Sequence, residues 1–412
     1  MEEKSNFQKI YKYVMLIAIT AFITFLLTSI GLYQYFVKDT DSGKYIVLNN
    51  SSSKDDSKVV SSLKNIMSLI DNYYLGEQDE EKLSEGAIKG YVNALGDQYT
   101  EYISKNDMED YKNQIMGNYV GIGIYMVANT EKNLIQVLAP IKESPAESAG
   151  ILPGDLIKSV DGVEYTSEDM TVAANKIKGE AGTKVKLKIL RGDNELDFEL
   201  TRAEIAMNPI EIKTLGDDNK IGYMEISSFD DKTGAKFKEK YEELQDKGIT
   251  SLIIDLRNNG GGIVSEALEI ADYIIEKNNV SLITVNKNDK EEISKTKIDP
   301  IVNVPIVLLV NENTASASEI LAGALRDNNK VTLVGTKTFG KGVIQQIVQL
   351  QDGSGLKVTI EEYFTPNRTK INGEGLTPDE VVELPDSVEN VLLVKESDDT
   401  QLKKAIEILK NK

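Results

Sequence analysis

The stretch Asn311-Glu312-Asn313-Thr314-Ala315-Ser316-Ala317-Ser318-Glu319 and, further on, Gly340-Lys341-Gly342-Val343-Ile344-Gln345 hold the residue types of a hydrolase that works without histidine. Ser316 can act as nucleophile, Lys341 as base and Gln345 as a neutral partner for the amine. The chain has no histidine and no cysteine, which excludes Ser-His-Asp triads, cysteine nucleophiles and His- or Cys-ligated zinc. Lysine is protonated at neutral pH and then accepts no proton. Burial in an apolar pocket disfavours the charged form and brings the amine into range. Phe339 and the neighbouring apolar strand are expected to line such a pocket. An amide at Gln345 orients the amine without adding the charge that would re-protonate it.

These residues need elements to position them. Ser316 follows the apolar run 304–310 and opens a helix, where free N–H groups and positive potential favour an oxyanion. Plain N-capping by Thr314, Ser316 or Ser318 fits the same residues. Lys341 by itself fits a surface loop in a chain with 47 basic residues. A third element, Asp255-Leu256-Arg257-Asn258-Asn259-Gly260-Gly261-Gly262, ends a buried strand in three glycines. Their backbone N–H groups can converge on a carbonyl or anion, or simply form a tight turn. The run lacks the Gly-x-Gly-x-x-Gly and Walker lysine patterns, so it does not read as a nucleotide loop.

With 412 residues, two or three domains are expected, and a net charge of −19 argues against nucleic acid and against broad adhesion to anionic lipid. Residues 13–37 carry no charge and are long enough to span a bilayer, with Lys4, Lys9 and Lys12 before them. The expectation is an uncleaved, single-pass anchor with residues 1–12 cytoplasmic and the bulk outside a bacterial cell membrane. A cleaved signal peptide is the alternative. Residues 38–57 read as a polar tether, and 58–116 as a helical region with three helices. Residues 386–412 read as a helical tail whose Leu402, Ala405, Ile406 and Leu409 share a face.

Between them, residues 117–203 contain Tyr119-Val120-Gly121-Ile122-Gly123-Ile124 and the run Ser144-Pro145-Ala146 through Gly154-Asp155-Leu156-Ile157 to Val160-Asp161-Gly162. This unit resembles a PDZ domain, a β-rich module. Residues 204–385 alternate buried strands with helices, an α/β core. Together with Gly373-Glu374-Gly375-Leu376-Thr377-Pro378-Asp379, the chain resembles the C-terminal processing (tail-specific) serine–lysine peptidases. The resemblance implies a multidomain α/β protein with a ClpP/crotonase-like peptidase core. It implies Ser316 as nucleophile, Lys341 as general base and Gln345 as the residue orienting the lysine. The oxyanion hole would come from the N–H groups of Ala317 and of the Gly261/Gly262 turn. It implies endopeptidase activity with no metal or cofactor. The PDZ residues Tyr119, Val120, Gly121, Ile122, Gly123 and Ile124 would receive a free, apolar substrate C-terminus as an added strand. Ile122 and Ile124 are expected to line that pocket, and the helical segments to mediate a homodimer.

Two other readings exist. A penicillin-binding pattern can be traced through Ser61-Ser62-Leu63-Lys64, Ser104-Lys105-Asn106 and Lys232-Thr233-Gly234, but the last reads as a helix start, capped by Asp230-Asp231, where a strand is needed. A membrane-anchored PDZ scaffold with a dead peptidase fold is the other, and the complete Ser316, Lys341 and Gln345 set argues against it.

Overall fold

The apolar runs Ile221–Ile226, Ser251–Asp255, Ile306–Val310 and Val331–Gly335 form parallel strands with both faces covered. The structure, a computed structural model, describes residues 56–411 apart from 116, 117, 207, 217, 386–393 and 395. The expected membrane span at 13–37 therefore lies outside the described residues. Among the described residues no helix is long and apolar enough to cross a membrane. The chain divides into two units, Met1–Gly86 and Ala87–Lys412. In the first, the helix Asp56–Tyr73 leaves Val59, Leu63, Ile66 and Met67 exposed, so its apolar stripe finds no partner among the described residues of that unit.

In the second unit, a six-stranded sheet runs in the order Ile210–Leu215, Ile221–Ile226, Ser251–Asp255, Ile306–Val310, Val331–Gly335, Glu380–Val381. Its first pair is antiparallel and the other four are parallel. Side chains alternate across it with period two. Leu252, Ile254, Ile306, Leu308 and Leu333 face one core, shared with Phe237, Ile270 and Leu321 from the helices Thr233–Asp246, Val264–Ile274 and Ala317–Asp327. Ile253, Val307, Leu309 and Val334 face the other. That face is covered by Leu402, Ala405 and Leu409 of the helix Thr400–Lys410. Each such aliphatic side chain contributes about 1.5–3 kcal/mol by leaving water, so the sheet needs both covers. The tail helix is thus a structural layer of the core.

A second, antiparallel sheet joins Glu101–Ile103, Gly355–Phe364, Val280–Asn286 and Glu291–Lys295, with Val343–Gln349 also paired to Gly355–Phe364. Residues 101–103, from the region read as helical, therefore extend a sheet of the peptidase core.

The PDZ-like unit builds its sheet in the order Ile124–Asn129, Leu134–Pro140, Leu156–Val160, Lys184–Arg191, Asn194–Thr201. Along Lys184–Arg191, Val185, Leu187 and Ile189 are buried while Lys184 and Lys186 are exposed, the alternation of a sheet with one wet face. Asp161 and Gly162, both at positive φ, close the two-residue turn between Leu156–Val160 and Val163–Glu164. The strand Ile124–Asn129 lies at the sheet's edge, open to addition of another strand. Ile122 is sealed in the domain core at 1% exposure, contrary to the expectation that it lines a peptide pocket; Ile124 is half-buried. Gly123 at φ +76 brings its carbonyl to the Ser144 hydroxyl at 3.1 Å, too close for a Cβ.

The Asp230-Asp231 cap expected for Thr233–Asp246 is corrected. The N-cap is Lys232 in the left-handed region, and Asp230 N donates to Thr233 Oγ1 at 2.8 Å. Lys232-Thr233-Gly234 thus opens a helix, leaving the penicillin-binding pattern without its strand.

Candidate active site

Ser316 sits in the turn between Ile306–Val310 and Ala317–Asp327 with φ +58 and ψ −119, a conformation that strains any residue with a side chain. Such strain costs about 1–3 kcal/mol and persists only where surrounding contacts over-determine it. The neighbouring hydroxyls have other duties. Thr314 Oγ1 donates to Leu256 O at 2.9 Å, and Ser318 Oγ donates to Asn259 O at 2.9 Å, each fully buried. They tie the serine turn to the glycine turn on the adjacent strand.

Glu319 holds the strain. Its fully buried carboxylate takes Ser316 N at 3.0 Å and Lys341 N at 2.9 Å on one oxygen. The other oxygen takes Thr338 Oγ1 at 2.6 Å and Gly340 N at 2.8 Å. On the carbonyl side, the Tyr363 hydroxyl lies 2.5 Å from Lys341 O and 3.1 Å from Ser316 O. The backbones of Ser316 and Lys341 are therefore clasped together by one carboxylate and one phenol. Burial pushes the Glu319 carboxyl above its usual range, while its four hydrogen bonds pull it down. Sequence reading missed this residue. The signal was present as Ser-x-x-Glu, a capping box at the helix start.

The glycines flanking Lys341 are explained by what approaches them. A Cβ on Gly340 would meet Gly375 N at 2.9 Å, and one on Gly342 would meet Asn372 N at 2.1 Å. The Gly373-Glu374-Gly375 loop thus packs against the lysine loop. Burial, and next the nearby Lys357 charge, hold the Lys341 amine below the usual lysine range, while Asp97 and Glu319 pull the other way. The expected pocket wall is different, however. Phe339 is 57% exposed, and the ring against the amine is Tyr99, with Lys341 Nζ 4.9 Å from its centroid.

Gln345 lies on Val343–Gln349, and its amide donates to Thr359 Oγ1 at 3.4 Å. Among the described residues no hydrogen bond joins the Ser316 hydroxyl, the Lys341 amine and the Gln345 amide to one another.

In the glycine turn, a Cβ on Gly261 would lie 2.8 Å from Ser316 Cβ and 3.0 Å from Ala317 N. Only glycine fits this close to the serine. The Gly261 N–H is given to Asn259 Oδ1 at 2.9 Å, whereas Gly262, at φ +143, is pressed against Phe229 O. Below the turn, buried Arg257 forks to Asp255, Asp399 and Gln401 at 2.6–3.1 Å. Asp399 also caps the tail helix by accepting Leu402 N at 2.8 Å. Arg257→Ala strands two buried carboxylates, and denaturant unfolding is expected to report a loss of about 3–5 kcal/mol.

A strained serine at a strand-to-helix turn, a half-buried lysine clasped to it through the backbone and an attached PDZ unit define a serine endopeptidase. Residues 220–382 match peptidase family S41, 136–191 match the PDZ domain, and 18–107 match the activating protease CtpB N-terminal domain. The chain is 34% identical over 375 residues to the "Probable CtpA-like serine protease" of Staphylococcus aureus (strain COL), covering 88% of this chain and 74% of that one. The protein of the same description from Staphylococcus haemolyticus (strain JCSC1435) is 35% identical, over 81% of this chain and 66% of its own length. Among solved structures, the photosystem II D1 C-terminal processing protease superposes with a TM-score of 0.51 at 29% identity, covering 81% of this chain and 90% of that one. The chain belongs to peptidase family S41, with a PDZ domain and a CtpB-type N-terminal domain.

Proposed function

We propose that this is a membrane-anchored endopeptidase that selects protein substrates by their free C-termini and cleaves them through an acyl-enzyme on Ser316. The observation that carries the reading is the clasp of Ser316 and Lys341 by Glu319 and Tyr363, with Thr314 and Ser318 committed elsewhere. Lys341 takes the hydroxyl proton as Ser316 Oγ bonds to the scissile carbon. The ammonium then protonates the leaving amine as the C–N bond breaks. Lys341 next deprotonates a water, which releases the new C-terminus and regenerates the serine. Ala317 N and the Gly261/Gly262 turn face the developing oxyanion; Gly261 N must let go of Asn259 if it is a donor. Gln345 orients the amine once it leaves Thr359. The core's repeated strand–helix–strand units support a ClpP/crotonase-like assignment.

The substrate tail adds as a strand along Ile124–Asn129, beside the Tyr119 to Ile124 segment, and the half-buried Ile124 favours an apolar end. Residues 13–37 anchor the chain in a bacterial cell membrane with the peptidase outside. The exposed apolar stripe of Asp56–Tyr73 supports a homodimer through this region. The net charge of −19 leaves nucleic acid out.

The full chain in detergent should be treated with a fluorophosphonate and mapped by mass spectrometry. An adduct on Ser316, with faster cleavage of unstructured peptides bearing an apolar free C-terminus than of their C-terminal amides, is the expected result. An adduct on Ser318, or none, would overturn the nucleophile. Equal cleavage of acids and amides would overturn tail selection.

A further inference from the structure

A turn that precedes the PDZ unit meets the Lys341 amine directly and reaches Gln345 through Thr359. In Asp97-Gln98-Tyr99-Thr100, the Asp97 carboxylate accepts Tyr99 N at 3.0 Å and the Thr100 hydroxyl at 2.5 Å. Thr100 Oγ1 in turn accepts Thr359 N at 3.1 Å, across 259 positions of sequence. The following residues Glu101, Tyr102 and Ile103 pair with Lys357, Leu356 and Gly355. This lashing sets the turn against the strand Gly355–Phe364, where Thr359 Oγ1 accepts the Gln345 amide at 3.4 Å. Beside it, the Tyr99 ring sits 4.9 Å from Lys341 Nζ, within cation–π range.

We infer that this turn is the seat of the Lys341 base: the face of Tyr99 and the carboxylate of Asp97 stabilise the ammonium and so set the pH at which Ser316 is activated. The inference rests on Lys341 being the base. Besides the Tyr99 ring, four influences act on the amine, Asp97 among them. Lys357 on Gly355–Phe364 repels the ammonium, Glu319 on Ala317–Asp327 attracts it, Asp97 attracts it, and burial disfavours it most. Tyr363, the remaining titratable group here, touches the Lys341 carbonyl through its hydroxyl. A buried lysine exposed only to burial and Lys357 would lose its proton easily but be a weak base. The ring and carboxylate restore basicity, so Tyr99 and Asp97 are positioning residues for the proton transfer.

The test is the pH dependence of two rates in the full chain: fluorophosphonate labelling of Ser316, which needs no substrate, and kcat/KM for a peptide. Both should rise with pH on a limb that Lys341→Ala removes. Tyr99→Leu, which keeps bulk and loses the π face, should move that limb down by about half a unit to one unit, so that labelling below the limb quickens roughly three- to tenfold. Its plateau kcat/KM should fall, since the base is weaker. Tyr99→Phe keeps the face and should leave the limb in place. The near-isosteric Asp97→Asn should shift it in the same direction as Tyr99→Leu, and Lys357→Met in the opposite one. Uniformly slower rates in Tyr99→Leu and Asp97→Asn, with the limb where the unaltered protein has it, would reduce the turn to a packing element and overturn the inference. A limb that survives Lys341→Ala would instead show that the base itself is misassigned.

Discussion

Lys341→Ala and Lys341→Arg are both expected to lower kcat/KM for a cleavable peptide by about 10⁴-fold, which corresponds to roughly 5.5 kcal/mol of transition-state stabilisation. The pair separates charge from basicity. Arginine keeps the positive charge and the aromatic contact with Tyr99 but stays protonated, so it cannot take the Ser316 proton. In the unaltered protein kcat/KM should climb with pH, because the proposed base acts as the neutral amine. The amine is held below the usual lysine range, chiefly by burial and then by Lys357, so the climb should come at lower pH than an exposed lysine would give. Steady-state rates across a pH series, in buffers of constant ionic strength, measure both effects. An arginine variant that kept more than a tenth of the activity would mean that the cation is needed for its charge alone.

How far this chemistry could be read from the chain depended on whether its signal was local. Ser316, Lys341 and the glycine turn stand in short runs whose composition demands a reason, and the near-continuous apolar runs at 251–256 and 306–310, buried at every position, announce a sheet covered on both faces. The tail helix was legible because Leu402, Ala405 and Leu409 recur on one face. Pairings made across long loops were not. Nothing near Tyr99 marks it as the ring over Lys341, and the short strand Glu101–Ile103 is too brief to carry a pattern; it exists because Gly355–Lys357 offers it an edge. The same blindness put Phe339 in the pocket. Its hydrophobicity suggested burial, but its backbone N–H is tied to Thr314 O at 3.0 Å and the side chain stands 57% exposed. Gln345 shows the limit of spacing as evidence. Four positions would bring it under Lys341 on a helix, but Lys341 precedes the strand Val343–Gln349 and Gln345 lies on it, where its amide donates to Thr359.

Glu319→Gln is the change that tests whether the site is assembled by its backbone clasp. A carboxylate offers acceptors on both oxygens, and all four partners here are donors: Ser316 N, Lys341 N, Gly340 N and the Thr338 hydroxyl. Glutamine is nearly the same size but turns one of those oxygens into an NH₂. The Thr338 hydroxyl can rotate to donate elsewhere; backbone N–H groups cannot. If the NH₂ faces Ser316 and Lys341, two buried N–H groups lose their acceptor and meet a donor, each at about 1–3 kcal/mol. If the amide flips, Gly340 N is stranded and the lysine loop shifts from its other end. Either way the φ +58 conformation of Ser316 loses a restraint and relaxes toward ordinary backbone. Stability to denaturant should fall by roughly 2–5 kcal/mol, and kcat/KM by about 100-fold, the usual cost of displacing a reacting group by 1 Å. Fluorophosphonate labelling of the fraction still folded should slow in parallel, because the defect lies in the serine's geometry rather than in substrate capture. A variant that unfolds more readily but labels and cleaves at full rate while folded would show that Ser316 and Lys341 hold their alignment without the carboxylate, and that Tyr363 alone suffices as the bridge.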